Sequence, residues 1–192
     1  MSHRTVGDDE LLDAARACVL AVGVRRTTAT DVARRAGVSR MTLYRRFPDV
    51  AGLIQALMTR EFSAIVDALE AEVAPLPTAR ERLVASAVEG ADRLTRNPLF
   101  LRIVDVDPEL LLPYVTTRLG AFQQAVVASF ERTVREGLAD GSIASADPAM
   151  TARTLELALR GFVLQTLAEG AEAAREPVLA ELRRMVDRYL AP

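Results

Sequence analysis

Lysine and tryptophan are absent from this chain, and cysteine and histidine occur once each. A lone cysteine excludes an intramolecular disulfide. Cys18 falls on an apolar helical stripe, where a buried, inert thiol is expected, and His3 stands in a polar arm at the start of the sequence. No His/Cys set has metal-ligand spacing, and neither a phosphate loop nor a nucleophile elbow occurs. We therefore expect no catalytic residues, no metal and no cofactor, and an enzyme is not the expected class. The sequence has no signal peptide and no apolar run of bilayer length, so a soluble, cytoplasmic protein with no membrane partner is expected. With alanine abundant and every cation but His3 an arginine, the missing lysine matches GC-rich coding and carries no functional weight. Aromatic residues are only 5% of the chain, so the core must come from Leu, Val, Ala and Ile.

The 192 residues are half apolar and dominated by strong helix formers, which favours an all-α fold. The net charge of −2 hides an asymmetry. Residues 1–60 hold ten Arg against six Asp/Glu, and residues 61–192 hold fourteen Arg against twenty. Within 25–46 there are seven Arg and one Asp. Such a basic block on an acidic body suits contact with a polyanion, and equally a solvated surface face.

Apolar periodicity predicts about nine helices. The first covers about 9–22, with Leu11, Leu12, Ala15, Cys18, Val19 and Val22 on one face, and stops at Gly23. The second starts behind Thr28, with Asp31 in the capping-box position, and ends near Ala36. Gly37 is suited to a positive φ, Val38 to a core plug and Ser39 to capping a short third helix over 40–47. Two short helices around such a turn make a helix-turn-helix. A long fourth helix is predicted from Pro48-Asp49 to about 73, and a fifth from the box at Thr78–Glu81 to about 97. A sixth covers about 99–106, a seventh about 113–138 and an eighth about 148–168. A polar connection over 169–176 then leads to a ninth helix from Pro177 to about 190.

The segment 27–54, TTATDVARRAGVSRMTLYRRFPDVAGLI, settles the class. It resembles the DNA-binding signature of the TetR (tetracycline-repressor) family through Thr28, Val32-Ala33, Ala36-Gly37-Val38-Ser39, Leu43-Tyr44 and Phe47. On its own terms the segment allows a mini-core of Val32, Ala36, Val38, Leu43 and Phe47 that sets the angle between the two helices. Thr28, Ser39, Arg40, Met41, Thr42, Tyr44, Arg45 and Arg46 form the expected DNA-facing set. A short basic helix of this kind can enter the major groove, with Arg and Thr at base edges and the Tyr44 hydroxyl on a phosphate. The family usually has a small residue at position 41, an aromatic at 46 and often a lysine near the start of the fourth helix. Met41 and Arg46 stand at the first two, so base preference does not carry over, and Val50 at the third loses one phosphate contact.

The resemblance implies a DNA-binding module over 1–48 and a sensing and dimerisation domain over 49–192. It implies a homodimer on a near-palindromic double-stranded DNA operator, formed by the last two helices. Leu155, Ala158, Gly161, Leu179, Leu182, Val186 and Tyr189 are the expected interface, although an intrachain core would use the same residues. It also implies a cavity for a lipophilic small-molecule effector, with repression as the sign of regulation. Phe62, Phe100, Ile103, Tyr114, Phe122, Gln123, Phe162 and Gln165 are its candidate lining, and each would serve equally as plain core. Gln123 and Gln165 need polar partners, for which ligand, water and backbone all qualify. A helical small-molecule carrier that does not bind DNA is the alternative function.

Overall fold

The computed structural model describes residues 7–111, 119–169 and 172–192, with backbone alone at 111, 165–169 and 172–174. Among the described residues it is all-helical: α1 (Asp8–Val22), α2 (Ala29–Ala36), α3 (Arg40–Arg46), α4 (Val50–Val73), α5 (Ala79–Arg96), α6 (Pro98–Val106), a 3-10 turn (Pro108–Leu111), α7 (Ala121–Asp140), α8 (Pro148–Glu169) and α9 (Glu172–Leu190). The chain forms two compact units, one of residues 1–61 and 97–118 and one of residues 62–96 and 119–192. Residues 7–48 lie in the first unit, which also takes the first turns of α4 and all of α6.

The first unit is larger than the helix-turn-helix because one apolar cluster needs all its helices. Leu12, Ala15 and Val19 of α1, Val32 of α2 and Leu43 of α3 share that cluster with Leu53 and Leu57 of α4 and Leu99 and Ile103 of α6. Three short helices cannot enclose so many buried apolar groups unaided, and burial of each Leu or Ile stabilises by about 1.5–3 kcal/mol. Cys18 lies in the same cluster, and burial pushes its thiol above the usual range, as suits an inert core residue.

The second unit packs α5, α7, α8 and α9 around Leu83, Ala87, Phe130, Val134, Leu155, Leu182, Val186 and Leu190, all buried. Glu70 and Glu72 join the second half of α4 to it, through Ser129 and Arg132 on α7 and Arg93 on α5. The start of α5 is held twice. Thr78 and Glu81 exchange the reciprocal bonds of a capping box, and Asp140 and Ser142 accept the Ala79 and Arg80 N–H groups at 2.9 and 3.2 Å.

Two helix limits differ from the sequence reading. Leu119 and Gly120 are not helical, and α7 begins at Ala121. Gln123 Oε1 accepts the Gly120 N–H at 2.7 Å, a cap inside the span predicted as continuous helix; residues 113–118 lie outside those described. The connection expected over 169–176 is mostly helix. Pro177 reads locally as a first-turn proline, yet it lies inside α9. Arg175, ahead of it, bonds Asp92 of α5 through Nε at 2.6 Å, a tertiary anchor that supports the extra turn and no local pattern reveals.

Candidate DNA-binding face

The helix-turn-helix is built by its caps. Thr28 Oγ1 accepts the Asp31 N–H at 3.2 Å and donates its own proton to the Asp31 carboxylate at 2.6 Å. Aspartate in the box position thus reaches the Thr28 hydroxyl, where a glutamate would reach back to the backbone. Gly37 takes φ +70° and closes α2. Its N–H bonds the Arg34 carbonyl and that of Val38 bonds the Ala33 carbonyl, the paired bonds of a Schellman ending that needs a left-handed residue at its bend. Val38 packs on the core cluster. Ser39 Oγ then accepts the Thr42 N–H at 3.1 Å and starts α3.

These caps fix α3 so that Leu43 is fully buried while Arg40, Met41, Tyr44, Arg45 and Arg46 are exposed and Thr42 is half-buried. The Arg40 guanidinium lies 5.9 Å from the Tyr44 ring centroid, a cation–π distance one turn along the helix. Thr42 and Ser39 hydroxyls are 3.0 Å apart. Arg46 pairs with Asp8 of α1 at 2.8 Å, Arg34 with Asp31 at 2.7 Å, and Arg25 with Glu109 at 2.7 Å. The arginine-rich block is therefore less naked than its composition suggests, because the fold brings Asp8 and Glu109 to it. Exposed pairs of this kind contribute little and yield readily to phosphate.

Sequence reasoning missed what holds the face from behind. Asp107, between the sixth and seventh predicted helices, is buried, and its carboxylate accepts the Val24 N–H at 2.6 Å. Gly23 approaches so closely, at φ +85°, that a Cβ there would meet Val106 Cγ1 at 2.6 Å and Asp107 Oδ2 at 2.8 Å. Thr27 Oγ1, also buried, donates to the Gly23 carbonyl at 2.7 Å. The turn from α1 to α2 is thus clasped by the end of α6. An aspartate before a proline was the only local signal. Arg60 of α4 adds a second tie, bonding Asp13 at 2.8 Å, the Asp9 carbonyl at 3.2 Å and Glu61 at 3.0 Å.

The other candidate residues divide between the units. Phe62 and Phe122 meet in the second unit, ring centroids 5.4 Å apart at 57°, and Phe162 is half-buried there. Phe100 and Ile103 are buried in the first unit, Ile103 inside its core cluster. Gln123 finds a backbone partner, whereas Tyr114 and the Gln165 side chain lie outside the described residues. Of the expected interface, Leu155, Leu182 and Val186 are buried within the single chain and so are unavailable to a partner. Ala158 and Leu179 are half-buried; Gly161 and Tyr189 are exposed. A helix apolar on most sides, such as α8, does not reveal from its spacing which side its own chain covers.

Comparison with known proteins agrees with this geometry. Residues 11–57 match the model of bacterial regulatory proteins, tetR family. The chain is 39% identical over 137 residues to an uncharacterized HTH-type transcriptional regulator of Mycobacterium tuberculosis, covering 71% of this chain and 69% of that one. The fold is that of FadR from Bacillus subtilis, solved with stearoyl-CoA (TM-score 0.73, 15% identity, 96% of this chain and 100% of that one). It is equally that of SmeT, repressor of the Stenotrophomonas maltophilia efflux pump SmeDEF (TM-score 0.71, 19% identity, 97% and 91%). With the capped helix-turn-helix and its exposed basic helix, these likenesses show that the chain belongs to the TetR family and is a DNA-binding, helix-turn-helix transcriptional regulator.

Proposed function

We propose that this regulator is a cytoplasmic, ligand-responsive repressor that acts by binding alone, as a homodimer on a near-palindromic operator. The observation that carries the reading is α3 itself: one face pinned by buried Leu43, the other presenting Arg40, Met41, Thr42, Tyr44 and Arg45. Arg45 is exposed and has no ion pair among the described residues, which leaves it available to a phosphate or a guanine. Thr28 and Ser39 act as caps and offer their hydroxyls to the backbone of the DNA.

Pairing is supported by a stripe that the protomer leaves uncovered. Met150, Thr154, Leu157 and Gly161 of α8 are exposed at helical spacing, and so are Met185 and Tyr189 of α9. An apolar stripe on two adjacent helices suits two-fold pairing into a four-helix interface. The second unit is the proposed sensor, with Phe62 and Phe122 as the apolar part of a lipophilic site. Helix α4 is continuous from the first unit into the second, so a ligand that shifts it would change how the two recognition helices present themselves. Such coupling ordinarily amounts to about 1–3 kcal/mol and is reciprocal.

The test is selection of bound fragments from random DNA, followed by binding at rising salt. A symmetric site bound by two chains, with affinity falling steeply with salt, is the expected result. Long-chain acyl compounds, stearoyl-CoA first, are the effectors to titrate with and without that DNA. Equal ligand affinity in both conditions would remove the switch and leave the DNA reading standing.

A further inference from the structure

Met41 is 77% exposed, the most exposed of the large apolar side chains among the described residues. It lies on α3 two residues before Leu43, which is fully buried. At about 100° per residue, Met41 and Arg45 each stand about 160° around the helix from Leu43. They form its outermost edge, one turn apart. Folding leaves a long apolar chain in water on the edge that reaches furthest from the core, flanked by Arg40 and Arg45.

Three occupants can be weighed for that side chain. Its own core does not take it, since the cluster under α3 is closed by Leu43 and Phe47. A second copy of the same surface would bring Arg40 and Arg45 against themselves, which is repulsive. A thioether carries neither charge nor N–H, so it has nothing to offer a phosphate. The floor of the major groove, in contrast, presents one apolar group, the C5-methyl of thymine. Methionine is unbranched and polarizable and adapts its shape to such a contact.

We propose that Met41 is a specificity-determining residue that reads the 5-methyl group of a thymine in each half of the DNA site. The proposal rests on the reading of α3 as the DNA-facing helix. Burying one methyl group is worth about 0.8 kcal/mol, or about a fourfold change in affinity per half-site. Deoxyuridine is the matching probe, because it pairs as thymine does and lacks only the methyl.

The experiment takes duplexes selected from random DNA by the wild-type protein and replaces thymine with deoxyuridine one position at a time. At one symmetric position, substitution should weaken wild-type binding about fourfold per half-site. Met41→Ala should bind the thymine and deoxyuridine duplexes equally, whereas Met41→Leu should keep a thymine preference. Equal wild-type binding of both duplexes at every position would overturn the proposal, as would a Met41→Ala protein that keeps the preference. A symmetric site with no deoxyuridine effect removes only the role of Met41. Failure to select any sequence removes the DNA-facing role of α3 as well.

Discussion

Arg46 illustrates how a single residue changes meaning between sequence and structure. By composition it is one more cation for DNA; in the fold its guanidinium is 2.8 Å from Asp8. A phosphate bound by Arg46 would have to displace that carboxylate, so Asp8 is expected to temper affinity for any DNA, specific or not. Asp8→Asn should therefore tighten non-specific binding and steepen its salt dependence by about one unit of slope, measured by anisotropy on an arbitrary duplex. An unchanged slope would mean that Arg46 stays away from the backbone. Arg45 and Thr42 sit on the same helix without that restraint. Arg45→Ala or Thr42→Ala should change which bases are preferred, by about 1–3 kcal/mol where a base contact is lost. Tyr44→Phe should weaken all sequences alike if its hydroxyl meets a phosphate.

Among the elements, α1, α2, α3 and the long α4 were legible because caps and apolar spacing sit next to each other in sequence. Thr28, Gly37 and Ser39 do in the fold what their local pattern predicts. Features that depend on distant partners were not legible: the Asp107 clasp on Val24, the Arg175 anchor on Asp92 that carries α9 past Pro177, and the choice of inner face on α8. The clasp makes α6 part of the unit that carries the helix-turn-helix. Asp107→Ala would leave the Val24 N–H unpaired and should destabilise the protein by about 1–3 kcal/mol. Gly23→Ala should cost at least as much, because both its φ and its neighbours exclude a Cβ. Thermal melts of both variants check this, and a melt equal to wild type for either would mean the clasp is ornamental. A second joint is pH-sensitive. Bonds from Ser142 and from the Ala79 N–H hold the Asp140 carboxyl below its usual range. A group whose folded pKa is depressed stabilises above its unfolded pKa and loses that effect as pH falls through the folded value. Asp140→Asn should thus lower the melting temperature at neutral pH, and its deficit should shrink in acid; a deficit constant with pH would assign the loss to packing.

For the whole molecule, the proposal is that two copies meet one DNA site. Leu182 is fully buried within its own chain and Gly161 is exposed, with nothing within 4 Å of a Cβ placed there. A charge at each should therefore fail differently. Leu182→Glu should unfold the second unit, whereas Gly161→Glu or Tyr189→Glu should leave a folded monomer that has lost tight operator binding. Sedimentation of a Gly161→Glu protein as an intact dimer would move the interface off α8. Central to the account is that α3 reads DNA in a paired molecule, and binding of a selected near-palindromic duplex across a salt series tests this most directly. Two chains per duplex, a linear fall of log affinity with log salt, and weakened or redirected binding by Arg45→Ala and Thr42→Ala are the expected result. Affinity that is flat with salt, or unaltered by both substitutions, would contradict it.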